Sequence, residues 1–196
     1  MPKYIEKVEK MMLPVIPTRG LVAFPSMPLN FELEREISIR AVEAAAGEDM
    51  YVLLLCQKDI GCAAPTPKDL YEVGTVCRIK QTLKSPDGIV RVLAEGVCRG
   101  TAISFTGRDG CIYANVLTKT VALEKGDSDI RSEALLREAI TALEDFLGYL
   151  PSESGEILLS ARSIKNPGQA ADFIAASAFV KFEDKQRILN VFEPLA

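Results

Sequence analysis

At about Thr118 the spacing between apolar residues lengthens from two positions to three or four, and few features constrain a fold more than such a change. Ahead of it, Cys77, Ile79 and Leu83 share one side of an alternating stretch and Arg78, Lys80 and Thr82 the other, the pattern of a half-buried strand. Behind it, Leu136, Ile140, Leu143, Leu147 and Leu150 follow one another in steps of four, three, four and three, an apolar stripe along one long helix. Strands first and helices afterwards make an α+β chain. The expected division is a β-rich subdomain over 1–118 and a helical bundle subdomain over 119–196.

Within the first part, 13–17 reads as a short strand. Its prolines suit an edge or terminal position, because neither Pro14 nor Pro17 donates to a ladder. A second apolar stretch, 21–24, is stopped by Pro25, and 26–33 is a proline-broken loop leading into a strand. In 34–46, Ile37, Ala41, Val42 and Ala45 fall on one helical face, and Gly47 stands where a left-handed cap is expected. A buried strand over 51–57 and a loop over 61–69 follow. The strand 76–83 turns at 85–88 and returns as 89–98. A second hairpin joins 102–105 to 111–117 around 107–110.

In the second part, Asp127 or Ser128 can cap the long helix and Pro151 ends it. A second helix spans 153–164 with Ile157, Leu158 and Ala161 inward. Asn166-Pro167-Gly168 breaks the chain before a third over 169–180, with Ala171, Ile174, Ala175, Ala178 and Phe179 inward. A short fourth covers 182–192.

Charge and composition exclude several functions. Residues 1–118 carry as many acidic as basic side chains, so the whole net charge of −4 lies in 119–196. Neither part offers the basic stripe that phosphate backbones require, and nucleic acid is not an expected partner. The chain has no histidine, which removes Ser-His-Asp and Cys-His catalysis. None of the 13 glycines has another five positions on, and no G-x-G occurs, so neither a P-loop nor a dinucleotide fingerprint is present. The five cysteines, Cys56, Cys62, Cys77, Cys98 and Cys111, include no C-x-x-C pair; they read as small buried hydrophobes in a reducing cytosol, with no metal and no cofactor. Met1 to Met12 is charged and lacks the apolar core of a secretory signal. The longest unbroken apolar run, 50–56, falls far short of the ~20 residues a membrane span needs. A cytoplasmic location is the expectation. Paired carboxylates such as Glu144-Asp145 and Glu183-Asp184 read as the solvated faces of helices.

What remains is apolar surface in a loop. Phe24 to Phe31 is richer in large apolar groups than solvation requires. Met27, Pro28, Leu29 and Phe31 are therefore candidates for binding unfolded polypeptide, with methionine supplying adaptability. The alternative is that Phe24, Leu29 and Phe31 plug the β-core. That reading is favoured for Phe24 and Phe31, whereas both readings stand for Met27 and Pro28.

Several stretches in order resemble one family. Leu13-Pro14-Val15-Ile16-Pro17-Thr18-Arg19-Gly20-Leu21-Val22-Ala23-Phe24-Pro25 resembles the L-P-x-x-P-x-R-G-x-V-x-F-P opening of Lon N-terminal domains. Arg35, Gln57-Lys58-Asp59, Leu70-Tyr71-Glu72-Val73-Gly74-Thr75-Val76 and the hairpin from Ile79 to Gly96 match that family in turn, as do Asn166-Pro167-Gly168 and Ala171-Asp172-Phe173-Ile174-Ala175. Asn30 and Ala23 depart from it, standing where proline and valine are common. The resemblance implies a PUA-like β-subdomain and a helical bundle. It also implies a non-catalytic domain that recognises unfolded or degron-bearing proteins for a hexameric AAA+ protease. The ATPase domain and the Ser-Lys protease domain of that family lie outside these residues. A standalone adaptor or chaperone-like member of the family is the first alternative and a PUA-like RNA-binding module the second. A small Ser-Lys hydrolase is a third, without a local signature in the sequence.

Overall fold

The computed structural model describes residues 4–47, 49–123, 130–149, 154–178 and 180–194. Its strands are β1 (Tyr4–Thr18), β2 (Pro28–Leu33), β3 (Tyr51–Cys56), β4 (Val73–Lys84), β5 (Val90–Arg108) and β6 (Cys111–Leu123). Helix α1 (Glu36–Ala46) separates β2 from β3, and α2 (Ile130–Leu147), α3 (Ser154–Ser163), α4 (Pro167–Ala178) and α5 (Phe182–Leu189) follow the last strand. The α+β class read from the sequence is the class observed.

Turn chemistry sets the hairpins. Gly88 takes a φ of 88° and donates its N–H to the Ser85 carbonyl at 3.0 Å, which reverses β4 into β5. At the next reversal Asp109 and Gly110 both have positive φ, so two residues suffice to pair Arg108 with Cys111. The sheet runs β2-β5-β4-β3-β1-β6, and β5 also pairs with β6. That second pairing closes β5, β4, β3, β1 and β6 into a ring, with β2 attached outside it along β5. Closure is possible because β5 has 19 residues and changes partner along its length.

The chain divides into two compact units, Lys7–Thr120 and the pair of segments Met1–Glu6 and Val121–Ala196. The first buries two apolar clusters. One gathers Ile16, Val52, Leu54, Ile79 and Val92 under Ala41, Val42 and Ala45 of α1. The other gathers Val15, Leu53, Leu55, Val76 and Val116. In the second unit Leu143 and Leu147 of α2 meet Ala161 of α3, with Phe173, Ile174 and Ala178 of α4 packed against them. No described helix is long and apolar enough to cross a membrane.

Several local expectations give way. The strand predicted at 13–17 begins at Tyr4, and its charged part, Glu6 to Lys10, is exposed throughout. Nor is it an edge: β1 lies between β3 and β6, and Pro17 pairs with Leu55. A proline removes only one ladder donor, which a strand tolerates where that nitrogen points away from its neighbour. Segments 90–98 and 102–105 belong to one continuous strand, β5, which forms both expected hairpins, the first with β4 and the second with β6. Leu83 is 57% exposed, since a register shift between Ile79 and Gln81 breaks the alternation before it reaches Leu83. Gly47 closes α1 in right-handed geometry (φ −80°, ψ −8°). Ala171 is exposed and Ala170 takes its inward place, because α4 starts at Pro167 and Asn166 caps it by accepting the Gln169 N–H at 3.1 Å. The expectations for Asp127, Ser128, Leu150, Pro151, Glu153 and Phe179 lie outside the described residues.

Candidate functional site

The Pro25–Phe31 stretch is held, not free. Gly96 of β5 donates its N–H to the Met27 carbonyl at 2.9 Å, and its own carbonyl accepts the Ser26 N–H at 2.8 Å. The strand backbones come so close here that a methyl group on Gly96 would overlap the Phe24 carbonyl oxygen. Strand β2 then alternates. Leu29, Phe31 and Leu33 turn toward the cluster beneath α1, while Pro28, Asn30 and Glu32 face solvent. Of the sequence candidates, Pro28 is exposed, Met27 is half-buried, and Leu29 and Phe31 are partly buried against the core. Phe24 is fully buried.

The arginine and glutamine singled out in the sequence work together. Arg35 Nη1 donates to Gln57 Oε1 at 2.6 Å, and Nη2 donates to the Pro17 carbonyl. Gln57 is completely buried, and its Nε2 donates to the carbonyls of Asp59 and Cys62 at 3.1 and 2.9 Å. One guanidinium thereby pins the end of β1 and the loop after β3 to the start of α1. Burial pulls the pKa of Arg35 below its ordinary value, and the nearby Arg19 charge acts in the same direction.

Two apolar openings lie in the helical unit. A cavity of about 380 Å³ is walled by Ala139, Ala142, Leu143 and Phe146 of α2 and by Ile174 and Ala178 of α4. A second, of about 770 Å³, shares Phe146 and Ala178 and adds Val180, Ile188 and Val191, with Lys181, Asp184 and Arg187 at its rim. Phe146 is 42% exposed and Val180 94%. Sequence reasoning passed over both. Phe146 sits one position off the Leu136–Leu147 stripe, and an aromatic residue off the packed face of an amphipathic helix was the available signal.

The groups able to do chemistry are scattered or engaged. No cluster of three or more metal-ligating side chains occurs among the described residues. None of the five cysteines is in a disulfide; Cys56, Cys77 and Cys111 are buried, and burial pushes the Cys77 thiol up to about 12. Glu144 is engaged by Arg162 at 2.7 Å, across α2 and α3.

The sequence signature of the ATP-dependent protease La (LON) substrate-binding domain matches residues 12–196. The chain belongs to this family. It is 36% identical over 185 residues to a Lon protease of Clostridioides difficile, a match covering 92% of this chain and 23% of that protein. A Lon protease of Brevibacillus choshinensis is likewise 36% identical over 185 residues, covering 94% of this chain and 23% of the relative. The chain therefore spans about a quarter of the length of the Lon proteases it matches. The fold is also that of the N-terminal domain of a Mycobacterium avium complex Lon protease, with a TM-score of 0.68, 18% identity, and coverage of 94% of this chain and 92% of that one. The match is to the substrate-binding domain of Lon and not to its protease domain.

Proposed function

We propose that this chain captures polypeptide segments exposed by unfolding or carrying a degron, and presents them to ATPase and protease domains of a hexameric, cytoplasmic Lon protease. In this reading the chain itself catalyses nothing and holds no cofactor. The observation that carries it is the apolar groove across α2, α4 and α5, where Phe146 and Val180 stand exposed instead of packed. A folded monomer rarely leaves such surface uncovered without a use for it. The bound segment contributes apolar side chains to the groove, and Lys181, Asp184 and Arg187 give it a polar rim. Met27 and Pro28, with Leu29 and Phe31 beneath them, form a second and smaller contact on the β-unit.

The test is binding of the purified chain to a labelled, permanently unfolded protein beside its folded counterpart, at low and high salt. Selective and salt-tolerant binding of the unfolded form is expected. Phe146→Ser should weaken it about tenfold, the loss of one well-placed aromatic contact, with little change in the melting temperature. Equal binding of folded and unfolded forms, or an unaltered affinity in the Phe146 variant, would refute the groove as the capture surface.

A further inference from the structure

We propose that a pocket beside the open edge of β2 binds the free C-terminal carboxylate of a polypeptide. This rests on the proposed function only in taking a polypeptide as the ligand. The pocket has a volume of about 260 Å³. One wall comes from Arg19 and Leu21, just past the end of β1; the other comes from Phe31 and Leu33 of β2, with Arg35 and Ser38 at the start of α1.

Its position favours an extended chain. β2 stands at the end of the strand order and pairs only with β5 among the described residues. No β5 residue lines the pocket, so it adjoins the edge of β2 that carries no strand. Such an edge presents alternate N–H and C=O groups to any strand laid beside it. The pocket is smaller than ordinary ligand sites, which begin at roughly 300 Å³. It holds the end of a chain, not a chain passing through. Leu21, Phe31 and Leu33 offer apolar contact to a terminal side chain.

Its charge favours a carboxylate. Arg19 is exposed and has no ion-pair partner among the described residues. It lies near enough to the half-buried Arg35 for the two like charges to oppose each other. Of the two acidic residues in the lining, Glu32 is engaged by Arg91 at 2.8 Å, which leaves only Glu34. The remaining lining charge is positive. Ser38, in the first turn of α1, is 1% exposed, and its hydroxyl has no hydrogen-bond partner among the described residues. Arg35, at the N-cap of α1, gives the helix no side-chain cap, so the first amides add a partial positive charge there. A carboxylate there takes the Arg19 guanidinium and the unpartnered Ser38 hydroxyl, beside the charge of Arg35, whose terminal nitrogens already serve Gln57 and Pro17.

The experiment measures binding of a short labelled peptide ending in leucine to the intact chain, as the free acid and as the C-terminal amide. The free acid should bind about tenfold more tightly, the effect of one charge-assisted contact. Arg19→Gln should abolish that preference, and Glu34→Gln should strengthen binding of the acid. Neither residue is buried, so both variants should fold. A peptide amidated at its end but carrying an internal aspartate should bind no better than the plain amide. Equal affinities for acid and amide, a preference that persists in Arg19→Gln, or a good fit for the internal aspartate would each overturn the proposal. The groove reading is judged separately: if Phe146→Ser leaves capture of unfolded protein unchanged while the acid preference stands, the groove fails and this pocket remains.

Discussion

The two units of the chain enclose their apolar interiors to different degrees. In the Lys7–Thr120 unit, Val15, Ile16, Val52, Leu53 and Leu55 are wholly buried, because ring closure turns one face of every strand away from water and α1 covers part of the rest. In the helical unit the buried cluster centres on Leu143, Leu147 and Ala161, while Ile130, Phe146, Leu159 and Val180 face outward. The β-unit also leaves apolar groups at its surface, Val8, Leu83 and Ile103 among them, so the units differ in how completely the interior is enclosed and not in whether apolar surface remains. Amphipathic helices bury one stripe and leave the rest of their circumference outside it.

The sharpest way to break this contrast is at Gly96. A methyl there meets the Phe24 carbonyl and separates β5 from the Ser26–Met27 turn. Gly96→Ala should destabilise the β-unit by about 3 kcal/mol or prevent its folding, at the upper end for overpacking, as read from denaturant midpoints. If it folds with unchanged stability, the loop is not clamped as described. Next come matched core truncations. Leu53→Ala should cost roughly 3–5 kcal/mol and Leu143→Ala about 2 kcal/mol, because a loosely covered site relaxes around the cavity and a barrel interior does not. Equal losses would show that the helical unit is as tightly packed as the barrel. The smallest effect concerns Cys77. Burial holds its thiol neutral to about 12, from an ordinary value of 9.0. Unfolding lets it ionise, so this contribution is complete below about pH 9 and falls as pH rises toward 12. Cys77→Ala should flatten the alkaline decline in stability, measured between about pH 8 and pH 10.5. An identical decline would assign it to other groups.

Much of the fold was legible because its signals are local. Ser85-Pro86-Asp87-Gly88 and Asp109-Gly110 specify their turns by residue type alone. The Leu136-to-Leu147 stripe specifies its helix by spacing. The misreadings arise where distant residues decide. Leu83 faces out because of a register shift against β5, and β1 lies inside the sheet because β6, about a hundred residues later, pairs with it. Of the candidates read from the sequence, Pro28 is exposed and Met27 half-buried, whereas Leu29 and Phe31 pack against the core. Arg19, Arg35 and Ser38 gave no joint signal, because only folding brings the end of β1 to the start of α1.

The closure of β1 against β6 also bears on how the protein is made. The Thr118 hydroxyl reaches the Glu9 carbonyl at 3.3 Å, so β1 meets its neighbour β6 only after more than a hundred further residues have been made. At translation rates of roughly 5–20 residues per second, β1 waits about 5–20 s with one side unpaired. Glu6, Lys7, Glu9 and Lys10 keep the first half of that waiting strand charged. Charge of this kind deters pairing with other nascent chains.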